Sequence, residues 1–268
     1  MKEKKEVVKI SKRELKQAVS SLVIFATEKK RDFPWRHNQT AYRVLVSELM
    51  LQQTQVSRVM EKYEPFIAKF KNLEAIKEAT LSELLLEGKG LGYMRRIKSL
   101  KNISLAVDTL PKTEEELQAL SGIGEYTAGA IMAFAYDIFV PILETNIRTV
   151  LCHHFCQKDV SSMCPALSLY PALTTKLFTE SKQSPRHFYE AMMDYGAFLK
   201  KEKVTVCKKI AKQKAFKGSK RELRAKLLYL ITENKMLEMD DSRSEAVLLD
   251  LVQEGFIRKS SKGYEIVL

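Results

Sequence analysis

The sequence predicts a helical protein of 268 residues whose last fifty or so form a small α+β unit. Three observations carry this. Apolar residues recur at helical spacing in successive segments between Ser11 and Lys201, broken by capping residues, glycines and prolines. Strand-like patterning is confined to the closing FIRKSSKGYEIVL, which reads as two short strands about Ser260–Gly263. Between them, residues 113–150 read as a helix, a glycine turn, a second helix and then a carboxylate, and the rest of the chain is organised around this stretch.

Composition bounds the function. The formal net charge is +12 and the isoelectric point about 9.4, which favours a polyanionic partner. The opening MKEKKEVVKISKREL has no apolar core of a secretory signal, and no apolar run approaches a membrane span. Cys152, Cys156, Cys164 and Cys207 lack the spacing of a disulfide framework and read as reduced thiols of a cytosolic protein.

Taken in order, Ser11 with Glu14 forms a capping-box pattern that opens a helix over about residues 12–30, with Leu15, Val19, Leu22, Val23 and Ala26 on its apolar face. Trp35, the one tryptophan, sits in Phe33-Pro34-Trp35-Arg36, on its own a connector with a buried ring. AYRVLVSELMLQQTQVSRVMEKYEPFIAKF then reads as two helices. Glu48 interrupts a strongly apolar stretch there. Burial would raise its pKa and keep it protonated, as a general acid requires, whereas a solvated helix-face glutamate is the reading the helix alone favours. Gln52, Gln53 and Thr54 follow as short polar groups able to bond base edges, or as a helix end facing water. Residues 72–110 continue as helices broken at Gly88, Gly90 and Gly92, and Arg95, Arg96 and Lys98 behind that loop read as a solvated face or as phosphate contacts, the latter favoured by the loop.

The central turn is Leu120-Ser121-Gly122-Ile123-Gly124-Glu125-Tyr126-Thr127-Ala128. Glycine accepts a positive φ and lets backbone approach a ligand, and the amides that begin the second helix make a ready phosphate site. Beyond it, Leu143-Glu144-Thr145-Asn146 sets a carboxylate ahead of the next helix, IRTVLCHHFC. Cys152 and Cys156 lie on one face of that helix with His153 and His154 between them, and buried core cysteines are favoured over a metal site. A further helix follows Ser184-Pro185. Residues 200–226 then hold twelve Lys or Arg against two Glu, a dense basic run that reads as a disordered linker or, the favoured reading, as a strap along a phosphate backbone. SKRELRAKLLYLITENKM and DSRSEAVLLDLVQEG are amphipathic helices, which with the final strands suggest a reduced winged helix.

These motifs resemble one family. L-x-G-I-G-x-x-T-A followed by P-I-L-acid-x-N is similar to the helix-hairpin-helix DNA glycosylases. P-W-R, S-E-L-M-L-Q-Q-T-Q-V, G-L-G-Y and E-A-M-M-D-Y-G-A narrow the likeness to the MutY-type adenine glycosylases over roughly residues 20–200. The resemblance implies an all-α, two-lobed fold: a glycosylase domain over 1–203, with a six-helix lobe of about 35–144 and a second lobe of 8–30 plus 145–203. A basic linker over 204–219 and a winged-helix-like α+β unit over 220–268 complete the expected organisation. DNA would lie between the lobes with the target base flipped out. The residue matching Glu48 protonates the adenine ring. Those matching Trp35 and Arg36 line the base pocket, the one matching Gln53 wedges into the duplex, the one matching Leu51 lies at the same lesion site, and the one matching Tyr93 inserts into the stack. Gly122, Gly124 and Thr127 belong to the DNA-binding hairpin, whose carbonyls can hold a monovalent cation. Glu144 faces the sugar, and Asn146 positions it or the water.

The departures are as informative. Bifunctional relatives carry a lysine where this chain has Tyr126, so a monofunctional enzyme without strand scission is expected. The family has aspartate where this chain has Glu144, about 1.5 Å of added reach, and a misplacement of about 1 Å can cost on the order of a hundredfold. The family's four cluster cysteines fall here on Lys200, Cys207, Ile210 and Phe216, so no [4Fe–4S] cluster is expected. About fifty C-terminal residues are also too few for the domain that reads 8-oxoguanine in such enzymes. The expected activity is base excision of adenine mispaired with guanine or 8-oxoguanine in duplex DNA, by a cytoplasmic, nucleoid-associated monomer. A uracil or thymine mismatch glycosylase and a DNA binder that has lost catalysis are the alternatives.

Overall fold

The computed structural model describes residues 10–91, 94–156, 169–204, 217–237, 241–261 and 263–267. Their helices in chain order are α1 (Lys12–Thr27), a 3-10 turn (Pro34–Arg36), α2 (Ala41–Leu51), α3 (Val56–Lys69), α4 (Leu73–Glu78), α5 (Leu81–Glu87), α6 (Met94–Ala106), α7 (Glu114–Gln118), α8 (Glu125–Phe134), α9 (Thr145–Phe155), α10 (Tyr170–Ser181), α11 (Pro185–Lys201), α12 (Lys220–Thr232) and α13 (Ser244–Gln253). Strands β1 (Ile257–Ser260) and β2 (Gly263–Ile266) close the chain as an antiparallel pair, with Ser260 opposite Gly263 at the expected turn. Two units emerge. One comprises Met1–Val44, Lys112–Leu117 and Ile123–Ile210, the other Leu45–Pro111, Gln118–Gly122 and Ala211–Leu268.

In the first unit, α1 opens on the full capping box, Ser11 with Glu14, and buries Leu15, Ala18, Leu22 and Phe25. It packs on α11, where Phe25 stacks on Tyr195 at 4.8 Å. Helix α8 is apolar enough to be buried from Thr127 to Phe134. Its Gly129 admits the extended segment before α9: a Cβ there would lie 2.1 Å from Ile142 Cγ2. The Tyr189 hydroxyl pins that segment, donating to the Val140 carbonyl at 2.5 Å and accepting from the Ile142 amide at 3.2 Å.

A charge cluster ties the 3-10 turn to α11. Asp194 accepts from the Arg31 amide and Nε and from both terminal nitrogens of Arg36, at 2.6–2.9 Å. Burial alone would push the Asp194 carboxyl up. The hydrogen bonds from Arg36 and Arg31 outweigh it and hold the group below its ordinary range. A carboxylate depressed in this way stabilises the fold above its unfolded pKa of about 4, and that stability is lost as pH falls through the lower folded value. Asp194→Asn is therefore expected to cost about 2 kcal/mol near neutral pH and to flatten the acid decline. Urea unfolding at about pH 7 and about pH 3 checks both.

In the second unit, α4 and α5 are capped by Asn72 and by the Thr80–Glu83 box. The C-terminal elements do not stand apart from them: α12 packs on α5, and α12 and α13 pack on each other. Arg95 of α6 and Arg224 of α12 converge on Glu254 at 2.8 and 2.6 Å. Lys98 donates to the carbonyls of Glu254 and Gly255, closing the end of α13. Arg96 donates to the carbonyls of Leu49 and Gln52. Arg95, Arg96 and Lys98, expected as phosphate contacts, thus each have partners within the protein, and Arg95 remains largely exposed. No local pattern in the sequence foretells these internal acceptors.

A correction concerns the thiols. Cys152 and Cys156 are both disulfide-bonded, where reduced cysteines were expected. Sequence spacing does not report which sulfurs a fold brings within bonding range. Cys164, Cys207 and residues 205–216 of the basic run lie outside the described residues.

Candidate active site

The candidate residues divide between the units. In the second unit, Glu48 lies on α2 within an unbroken buried run from Val44 to Met50 and is itself only 7% exposed. The solvated helix-face reading of this carboxyl is thereby excluded. Leu51 ends the helix, and Gln52 and Thr54 are half-buried in the turn after it. The Thr54 hydroxyl bonds the Gln52 and Leu91 carbonyls at 3.3 Å. Gln53, exposed between them, has φ +57°, a left-handed conformation that a side chain makes costly. Arg96, through its bonds to the Leu49 and Gln52 carbonyls, holds the backbone of this turn. Tyr93 lies outside the described residues.

The hairpin turn has the predicted glycine geometry. Gly122 has φ +76°, and a Cβ there would lie 2.5 Å from Ser99 Oγ, so both the turn and the approach of α6 require glycine. Gly124 is the N-cap of α8, with no side-chain cap. Tyr126 is half-buried in the first turn of that helix and Thr127 is buried.

In the first unit, Trp35 is buried and stacks on Phe33 at 4.8 Å. Arg36 spends its guanidinium on Asp194 and the Arg31 carbonyl. Glu190 lies beside this pair, 4.0 Å from Arg36 Nε, and Lys30 makes an ionic contact with it at 2.9 Å rather than an aligned hydrogen bond.

Glu144 is the most defined group. It is the N-cap of α9, and its Oε1 accepts from the amides of Asn146 and Ile147 at 2.6 and 2.8 Å. The added methylene thus folds the carboxylate back onto the helix start instead of extending it, so glutamate does cap here, contrary to its low standing as a cap residue. Its Oε2 takes only a long bond, 3.3 Å, from the Asn146 carboxamide. Burial pushes the Glu144 carboxyl above its ordinary range, opposed by the two amides, the Lys200 charge and the Asn146 side chain. Lys200 of α11 donates to Asn146 Oδ1 at 2.7 Å. Nothing in the sequence signals this partner across fifty-four residues.

Close packing makes that contact possible. Gly196, one turn earlier on α11, sits against α9, and a Cβ there would lie 2.3 Å from the Asn146 carbonyl oxygen. Gly196→Ala is expected to lower stability by about 2 kcal/mol, because backbone rather than a flexible side chain must move. Thermal unfolding measures this, and loss of any Glu144-dependent activity should accompany it.

Residues 46–163 match the HhH-GPD superfamily of base excision DNA repair proteins. The matched segment of this chain is similar to the HhH-GPD superfamily. Glu48, Leu51 to Thr54, the glycine hairpin, Glu144 and Asn146 all fall within the matched HhH-GPD segment. An adenine DNA glycosylase of Mycolicibacterium smegmatis is 40% identical over 128 residues, covering 46% of this chain and 44% of that protein. One from Buchnera aphidicola subsp. Acyrthosiphon pisum is 30% identical over 190 residues, covering 66% and 53%. The chain thus spans about half the length of these HhH-GPD relatives. The solved structure of a thermostable thymine-DNA glycosylase superposes with a TM-score of 0.61 at 27% identity, covering 69% of this chain and 87% of that one. The helical architecture of that glycosylase is therefore shared, as expected.

Proposed function

We propose that the protein is a monofunctional adenine DNA glycosylase acting on mispaired adenine in duplex DNA. The observation that carries the reaction class is Glu144: a fixed, largely buried carboxylate with one oxygen held by helix amides and the other lightly bonded. Such a group suits a cationic, oxocarbenium-like sugar, as in glycoside hydrolysis. Glu48 gives a proton to the adenine ring, the C1′–N9 bond breaks with its electron pair leaving on the base, and Glu144 stabilises the sugar cation. Water adds at C1′, releasing a proton and leaving an abasic site. Asn146 steadies the carboxylate. Tyr126 offers no amine, so no Schiff base forms and the strand stays intact. The choice of adenine draws its support from the relatives named as adenine glycosylases.

No iron–sulfur cluster takes part in this reading. The first of the four positions is Lys200, whose ammonium is committed to Asn146, and a lysine, an isoleucine and a phenylalanine supply no thiolate. Cys207, Ile210 and Phe216 lie outside the described residues. Iron analysis of purified protein tests the point, and a brown protein would overturn it.

The deciding experiment is a panel of duplexes carrying adenine, uracil or thymine opposite guanine or 8-oxoguanine, scored for alkali-labile abasic product. Release of adenine alone supports the proposal. Release of thymine or uracil supports the second reading, which the likeness to the thymine-DNA glycosylase structure motivates. Cleavage without alkali removes the monofunctional assignment, and tight binding without product removes catalysis.

A further inference from the structure

The contact between α11 and the start of α9 assigns a task to Lys200 that its sequence position does not announce. An ammonium only donates, so at 2.7 Å it selects the oxygen of the Asn146 carboxamide. The amide nitrogen is thereby turned toward Glu144 Oε2, at 3.3 Å. A flipped carboxamide would set its nitrogen against the ammonium and its oxygen against the carboxylate, both unfavourable. We propose that Lys200 is a positioning residue, fixing the Asn146 carboxamide and, through it, the lightly bonded oxygen of Glu144. The proposal rests on the glycosylase reading of Glu144 and adds the device that keeps that carboxylate oriented.

The surrounding charges leave this role to Lys200. On the helices packed against α9, Asp194 and Glu190 of α11 pair with Arg31, Arg36 and Lys30, and Tyr195 of α11 bonds His154 of α9. Glu14 of α1 serves the Ser11 cap. Burial pushes the Lys200 ammonium down and the Glu144 carboxyl up, and the two charges act on each other in the opposite sense. Removing the ammonium therefore raises the Glu144 pKa further. If the reaction needs the carboxylate, the acidic limb of its pH profile moves to higher pH.

The test compares the wild type with Lys200→Met, Lys200→Gln and Lys200→Arg, all checked for folding by thermal unfolding. Single-turnover adenine release against pH should show the acidic limb displaced upward by about one unit in the Met and Gln variants. Duplex affinity should change little, and Arg should restore most of the wild-type profile. The Glu144 carboxyl, followed by carbon NMR, should titrate at higher pH in Lys200→Gln whether or not the protein is active. An unchanged acidic limb and an unchanged Glu144 titration in folded Gln or Met variants would overturn the proposal. A wild type that releases no base from any duplex would instead defeat the glycosylase reading, leaving the NMR result to decide the contact itself.

Discussion

Glu144→Gln is expected to slow base release by about a hundred- to a thousandfold, the usual loss when one preorganised electrostatic stabiliser is removed. The substitution is close to isosteric, and a glutamine oxygen can still accept from the Asn146 and Ile147 amides that hold Oε1. The fold and the start of α9 should therefore survive, and what disappears is the negative charge at the sugar. Glu144→Asp makes the complementary comparison. Aspartate keeps the charge and is among the best N-cap residues, so the α9 cap persists and activity should be retained or improved. Single-turnover rates on an adenine mispair, with melting temperatures alongside, separate the two. A glutamine variant as fast as the wild type would remove Glu144 from the mechanism.

The second large effect is expected at Glu48. Loss of a general acid typically costs about a hundred- to ten-thousandfold, and Glu48→Gln keeps the volume of a side chain buried in α2 while deleting its acidic proton. The deficit should depend on the leaving group. A purine analogue whose departing nitrogen is more acidic needs less protonation, so the variant should lose less on that substrate than on adenine. An equal loss on both would mean that Glu48 supports the structure of α2 rather than proton transfer.

Local chemistry was legible in the sequence wherever its cause was local. The Ser11–Glu14 box opens α1, the buried run around Glu48 lies on a helix, Gly122 adopts its positive φ, and the final strands pair about Ser260–Gly263. The helix after Ser11 ends at Thr27, three residues short of the expected limit. Long-range partners were not legible. Asp194 meets residues more than 150 positions away, Glu254 gathers two arginines from different helices, and Lys200 reaches Asn146 only because Gly196 lets two helices touch. Periodicity and capping rules act over one or two turns, whereas these contacts follow from tertiary packing. The Glu144 cap was missed for a different reason: average preference ranks glutamate low, yet a well-placed helix start accepts its longer arm.

The turn at Gln53 bears on association. Its left-handed backbone stores about 1 kcal/mol or more, and Arg96 ties down the peptide on its near side. A ligand arriving there meets a knuckle already bent into shape. Less freedom is then surrendered on docking, so the ordering entropy of this segment is met during folding rather than at each encounter.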